Sequence, residues 1–242
     1  MTSRQLVSLQ FDYHDDTYHD NLSTLLSLIN HSQNNAIVVA PELCLTNFSY
    51  TNMDEAATFS QTALTQILPL SHDRIICFSM IEKRDGDFYN SAKILHKGKV
   101  THTQDKVQLF KLGEEHKHFQ VGDAEKIKIV EVDGLRLAIL ICFEIRFTSL
   151  WERVRGADVI MIPALWGSLR KEQFEAITKA MAILNQAFVI AADSANDDMA
   201  KGSSIITPFG EVLSDDMQTF IAKNADINEI QKMRRYMNIG LS

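Results

Sequence analysis

The chain has 242 residues, of which 45% are hydrophobic and 23% charged, and it carries a formal net charge of −7. That composition builds a sizeable core, and with only 4 Pro and 10 Gly it excludes collagen-like and low-complexity chains. No basic run answers to a nucleic-acid partner, and no apolar stretch is long enough to answer to a membrane span.

Residues 6–11 read as a strand, and a helix follows over 17–30 with Leu22, Leu25, Leu26 and Ile29 at helical spacing. The stretch before them, residues 1–10, has no charged-then-apolar leader, which argues against a secretory signal. Residues 36–40 are a short continuous apolar run, as a strand buried on both faces requires, and Pro41 ends it just before Glu42. A second helix is expected over 53–68. Three strands then succeed one another at 74–82, 89–96 and 99–103, the last two joined by a turn at Lys97-Gly98. The charged, histidine-containing residues 110–123 read as a loop.

A strand at 126–131, a turn at Asp133-Gly134 and a buried strand at 135–141 lead to Cys142. A helix near 149–155, a strand at 158–162, a longer helix over 171–186 and a strand at 188–192 come next. Residues 204–207 and 211–214 flank Pro208-Phe209-Gly210 as a hairpin, and a strand at 220–226 and a short helix close the order. In that last helix Lys232, Arg234 and Arg235 are expected near the C-terminus, where cations suit the helix dipole. The alternation points to a layered α/β fold, and with no linker in view residues 1–242 are expected to form one domain.

Cys142 lies at the C-terminal end of an apolar strand, the edge at which ligands bind in open α/β sheets. Free cysteine is also among the most buried residue types, so placement alone leaves catalysis and packing both open. Cys77, inside Ile-Ile-Cys-Phe, and Cys44 read as packing residues. Three cysteines without paired spacing fit a reducing cytoplasm. Glu42 stands at the end of its own buried strand, placed to serve as a base unless it is a solvated loop acid. Lys106 follows a strand in Asp-Lys-Val-Gln-Leu-Phe, where an ammonium could meet a developing oxyanion, although a single lysine is ordinarily a surface residue. His116 and His118 have no third ligand nearby and none of the zinc spacings, so no metal is expected. Ser203-Ser204 after Gly202 does not form a nucleophile elbow.

Pro41-Glu42, then Lys-Val-Gln-Leu-Phe from Lys106, then Ile-Cys-Phe-Glu-Ile-Arg-Phe around Cys142, stand in an order that resembles the nitrilase, or carbon–nitrogen hydrolase, superfamily. Tyr89-Asn90-Ser91-Ala92, the loop at 115–122, residues 180–185 and residues 202–210 extend the similarity to about residues 6–226. The resemblance implies an αββα sandwich, two mixed sheets packed between helical layers, and dimerisation through helical faces. It implies Cys142 as nucleophile, Glu42 as general base, Lys106 as oxyanion partner together with the Phe143 backbone N–H, and no cofactor. Glu115 matches the supporting glutamate. It is chosen over Glu114 because it directly precedes His116. Leu184 and Asn47 depart from the family pattern, standing where glutamate and glycine are frequent. The implied activity is hydrolysis of carbon–nitrogen bonds in small linear amides, with an omega-amidase acting on dicarboxylate monoamides favoured and an N-carbamoyl amide hydrolase as the alternative. From a different class, a non-catalytic binding protein on the same scaffold is disfavoured by the intact Glu42, Lys106 and Cys142.

Overall fold

The computed structural model describes residues 3–241. Among them the first sheet contains β1 (Ser3–Leu9), β2 (Ile37–Val39), β3 (Ile75–Arg84), β4 (Asp87–His96), β5 (Lys99–Asp105) and β12 (Phe220–Asp226). The second contains β6 (Val130–Val132), β7 (Leu135–Ile139), β8 (Val159–Pro163), β9 (Phe188–Ala192), β10 (Ser204–Ile206) and β11 (Val212–Ser214). The strand orders are β12-β1-β2-β3-β4-β5 and β11-β10-β9-β8-β7-β6. Each sheet has a parallel centre, β1-β2-β3 and β7-β8-β9, flanked by antiparallel strands.

Alternation along the strands decides what faces what. Leu6, Ile37, Val39, Ile75 and Cys77 point to the second sheet and join its buried residues in one core. Their neighbours Val7, Val38, Ile76 and Phe78 point the other way, onto Leu22, Leu25 and Ile29 of α1 (Tyr18–His31) and Ala63 and Ile67 of α2 (Met53–Ile67). Beyond the second sheet lie α3 (Thr148–Val154) and α4 (Lys171–Asn185), the latter burying Phe174, Met181 and Ala182. The result is the expected helix–sheet–sheet–helix sandwich. Each fully buried Leu or Ile contributes about 1.5–3 kcal/mol. No helix among the described residues is long and apolar enough to cross a membrane.

Three local expectations are corrected. The strand expected at 126–131 is only Val130–Val132, because Ala124–Lys126 form a 3-10 turn whose Glu125 N–H is capped by the Asp123 carboxylate. The loop at 110–123 contains two further 3-10 turns, Lys111–Gly113 and Glu115–Lys117. Arg234, on the closing helix α5 (Asn228–Tyr236), is no solvated dipole partner. It is 3% exposed, pairs with Asp158 at 3.2 Å and donates to the Ala157 carbonyl, pinning α5 to the start of β8. A buried arginine needs such partners.

Candidate active site

The parallel strands of both sheets run out at one end of the sandwich, and the chain segments beyond them carry the polar groups. After β2, the Glu42 N–H donates to the Ala164 carbonyl beyond β8 at 3.0 Å, and the Glu42 carbonyl accepts from the Tyr13 hydroxyl at 2.7 Å. After β5, the Lys106 N–H donates to the Asn90 carbonyl of β4 at 2.9 Å. The Lys106 carbonyl in turn accepts from the Gly122 N–H at 3.0 Å, and a Cβ at position 122 would stand 2.4 Å from the Asp105 carbonyl oxygen. Glycine is what lets the 115–122 loop come that close. After β7, the chain turns at Cys142, whose φ of +47° is left-handed and opens a 3-10 turn, Cys142–Arg146. A non-glycine residue in that region costs about 1–3 kcal/mol, which the surrounding structure must hold in place.

Glu42, Lys106 and Glu115 meet in the interior, at 0%, 0% and 2% exposure. Lys106 Nζ donates to Glu42 Oε1 and Glu115 Oε1, both at 2.7 Å. Asn90 Nδ2 also donates to Glu42 Oε1 at 2.8 Å, and Glu115 Oε2 accepts the Phe110 N–H at 3.1 Å. Glu42 Oε2 is buried and has no partner among the described residues. A buried carboxylate oxygen left open in this way is available to take a proton.

Burial works against the charged lysine, but Glu42, Cys142 and Glu115 outweigh it and hold the ammonium above its usual range. Burial pushes the Glu115 carboxyl up, against the pull of Lys106. Burial, and after it the charge on Glu42, push the Cys142 thiol well above its ordinary value, while Lys106 pulls the other way. The resting sulfur is therefore a thiol, and attack on an electrophile requires a base to remove its proton as the bond forms.

Cys142, 6% exposed, opens onto a pocket lined by Phe110, Phe143, Leu165, Trp166, Arg146 and Arg170. The rings of Phe110 and Phe143 lie 5.0 Å apart. The Arg146 guanidinium lies over the Trp166 ring at 5.0 Å and also donates to Gln173, and that of Arg170 lies over Phe110 at 5.4 Å, so aromatic rings hold both cations beside the nucleophile's pocket.

The structure thus brings Glu42, Lys106, Cys142 and Glu115 together, and it places Glu114 outside, exposed and paired with Lys117. His118 stacks on Tyr50, the ring centroids 4.0 Å apart. Cys77 lies in the core between the sheets and Cys44 in the core under α1 and α2. Ser203 is a structural hub, its hydroxyl accepting from the Asp193 N–H at 2.8 Å. Leu184 sits exposed on α4, away from the pocket. Asn47 has φ +52°, a conformation asparagine tolerates, and its side chain accepts from the Phe48 N–H.

Sequence reasoning passed over Asn90, Asp193, Arg146, Arg170 and Glu144. Asp193 is fully buried and accepts from the Trp166 N–H at 2.8 Å, and burial pushes its carboxyl up to about 7. Glu144 is fully buried and accepts from the Val107 and Ile141 N–H groups, both at 2.7 Å. The available signal was an acid set among Ile141, Cys142, Phe143 and Ile145, a position where a solvated role is implausible.

Comparison with known proteins agrees with this geometry. The Carbon-nitrogen hydrolase family profile matches residues 6–235, and the chain belongs to that family. A 2-oxoglutaramate amidase of Bacillus subtilis (strain 168) is 30% identical over 220 residues, covering 86% of this chain and 84% of that protein. The Omega-amidase YafV of Escherichia coli (strain K12) is 27% identical over 188 residues, covering 74% and 71%. Among solved structures, Saccharomyces cerevisiae Nit3, a nitrilase-superfamily member, superposes with a TM-score of 0.86 at 18% identity, covering 99% of this chain and 96% of that one. An amidase from Nesterenkonia sp. superposes at 0.81 with 16% identity, covering 98% of both. The protein is a carbon–nitrogen hydrolase on the nitrilase fold.

Proposed function

We propose that this hydrolase is an omega-amidase, removing ammonia from the distal amide of small dicarboxylate monoamides. The observation that carries the reading is the open Glu42 oxygen and buried Lys106 ammonium beside a strained, protonated Cys142, in a pocket that also holds Arg146 and Arg170. In this reading Cys142 Sγ attacks the amide carbon as Glu42 takes its proton. The oxyanion is met by Lys106 and the Phe143 N–H, each such donor contributing on the order of 3 kcal/mol in the transition state. Glu42 returns the proton to the departing ammonia, leaving a thioester. It next takes a proton from a water as the water oxygen bonds the thioester carbon, and passes that proton to the departing sulfur, releasing the acid and restoring the thiol. Glu115 keeps the ammonium in place between the two carboxylates. Planar guanidinium groups suit the substrate's free carboxylate, and the activities named for the Bacillus subtilis and Escherichia coli relatives support that class.

As part of the same proposal the enzyme is cytoplasmic, in keeping with its three free cysteines, and homodimeric. Exposed Leu184 on α4, Phe209, Val212 and Leu213 on the β10–β11 hairpin, and Met237 offer apolar surface for a second copy. Light scattering tests the dimer and cell fractionation the compartment.

The deciding experiment is an ammonia-release screen over omega-amides, N-carbamoyl amino acids and neutral aliphatic amides, with carbon dioxide measured in parallel. Turnover highest on the omega-amides supports the proposal. Carbon dioxide released with ammonia from carbamoyl compounds would move the assignment to an N-carbamoyl amide hydrolase, and no turnover on any class would favour a binding protein.

A further inference from the structure

The two segments that would carry the oxyanion lysine and the nucleophile come from different sheets; Gln104 of β5 donates across to the Ile139 carbonyl of β7 at 3.1 Å, and nearer the site Glu144 joins them with both of its oxygens. Glu144 Oε1 accepts the N–H of Val107, the residue after Lys106, at 2.7 Å. Its Oε2 accepts the N–H of Ile141, the residue before Cys142, also at 2.7 Å. The carboxylate is fully buried, and both of its oxygens are used. The Glu144 N–H also donates to the Ile141 carbonyl at 3.0 Å, which tightens the turn that throws Cys142 into its left-handed conformation.

We propose that Glu144 is a positioning residue that sets the separation of Lys106 from Cys142 by bridging their neighbouring backbone amides. This rests on the reading that Lys106 and Cys142 act in one reaction. A carboxylate offers two acceptor oxygens about one carboxylate width apart, so each of two separate N–H donors meets its own oxygen. An amide offers one acceptor and turns its NH2 against the other N–H. An aspartate keeps both acceptors, but it is one methylene shorter and cannot reach both amides from the same Cα. The charge is tolerated in the interior because two charge-assisted bonds receive it and Lys106 lies close, although burial still pushes the carboxyl up to about 7. A misplacement of about 1 Å between reacting groups can lower a rate about 100-fold.

The test compares Glu144→Gln and Glu144→Asp with Asp158→Asn. Asp158 is also a buried carboxylate brace, but it lies at the start of β8, the end of the sheet away from Cys142. For each protein folding is checked by circular dichroism, and kcat, KM and the iodoacetamide reaction rate of Cys142 are measured well below its Tm. Both Glu144 variants are expected to lose about 100-fold in kcat, with KM within about threefold of wild type and with slower Cys142 alkylation. Asp158→Asn is expected to lower Tm and leave all three readouts unchanged.

A folded Glu144→Gln or Glu144→Asp with kcat within threefold of wild type overturns the proposal, as does an equal kcat loss in Asp158→Asn. Should neither Glu144 variant fold, replacing Val107 by its α-hydroxy acid deletes that one N–H and leaves every side chain in place. A kcat unchanged in the resulting ester protein overturns the bridge, and a loss without a change in KM supports it. The alkylation rate is independent of substrate identity: if no amide is turned over, it alone decides the bridge.

Discussion

Glu42→Gln isolates the proposed base with little change of shape. The glutamine oxygen can take the place of Oε1, which accepts from Lys106 and Asn90, and the NH2 takes the place of Oε2, which has no partner to lose among the described residues. Lys106 keeps its second carboxylate, Glu115. The variant therefore folds, with a stability change within about 2 kcal/mol, the size of one charge-assisted hydrogen bond. Turnover is another matter. A positioned general base contributes about 10²–10⁴-fold, or about 2.7–5.5 kcal/mol of barrier, and no resident thiolate can substitute, because burial keeps the sulfur protonated. Removing the Glu42 charge takes away only the second cause of the raised thiol; burial, the first, remains, so the residual rate of the variant is expected to climb as pH rises. The assay is steady-state and single-turnover ammonia release on an omega-amide, with circular dichroism as the control for folding. A folded Glu42→Gln protein with kcat within tenfold of wild type would refute the reasoning.

Arg146→Met and Arg170→Met are each expected to raise KM about 10- to 100-fold for an amide bearing a carboxylate, the loss of one charge-assisted contact, and to leave kcat/KM for a neutral amide within about threefold; equal losses on both would show that the arginines shape the pocket instead of reading charge. Gly122→Ala forces a Cβ against the Asp105 carbonyl and is expected to cost about 1–3 kcal/mol in denaturant unfolding, with activity falling because the same contact seats Lys106; unaltered stability would contradict the close approach. The pH dependence of stability follows from Glu144 and Asp193, both pushed by burial to about 7 from a usual value of about 4. Their folded forms bind protons more tightly than the unfolded chain, so their contribution is full below about pH 4 and is lost as pH rises through about 7. His102, which burial holds below its usual range, opposes this at the acid end. Calorimetry is expected to find Tm falling from about pH 6 to 7.5, less steeply in Asp193→Asn; a rise across that interval would contradict it.

Much of the fold could be read in advance, because periodicity is a local property. The apolar spacing of Leu22, Leu25 and Ile29 located α1, and the unbroken runs at 36–40 and 188–192 located β2 and β9 to within about a residue. What escaped was set by distant partners or by segments too short to show a period. The 3-10 turns at Lys111–Gly113 and Glu115–Lys117 span three residues each. Arg234 follows the helix-end rule locally, yet its partner Asp158 is 76 positions away in the chain. The site behaves the same way. Glu42, Lys106 and Cys142 read singly as a loop acid, a surface lysine and a buried thiol, and it was their order along the chain that pointed to a common centre. Glu144 stands in the motif around Cys142, yet nothing in it marked a role. Its two bonds go to backbone amides, which leave no trace in residue identity.

The division of the site between the sheets has a mechanical consequence. Glu42 and Lys106 leave the first sheet and Cys142 leaves the second, so the distance between the proposed base and the proposed nucleophile is inherited from the thickness of the side-chain layer between them. Ile37, Val39, Cys77 and Ile139 act there as spacers as much as ballast. A methyl removed from that layer is expected to cost stability and, as the halves settle, rate as well. The same methyl removed beneath α1, at Leu25 or Ile29, shows up as lost stability with the chemistry untouched. Sequence drift therefore has wider latitude under the outer helices than between the sheets.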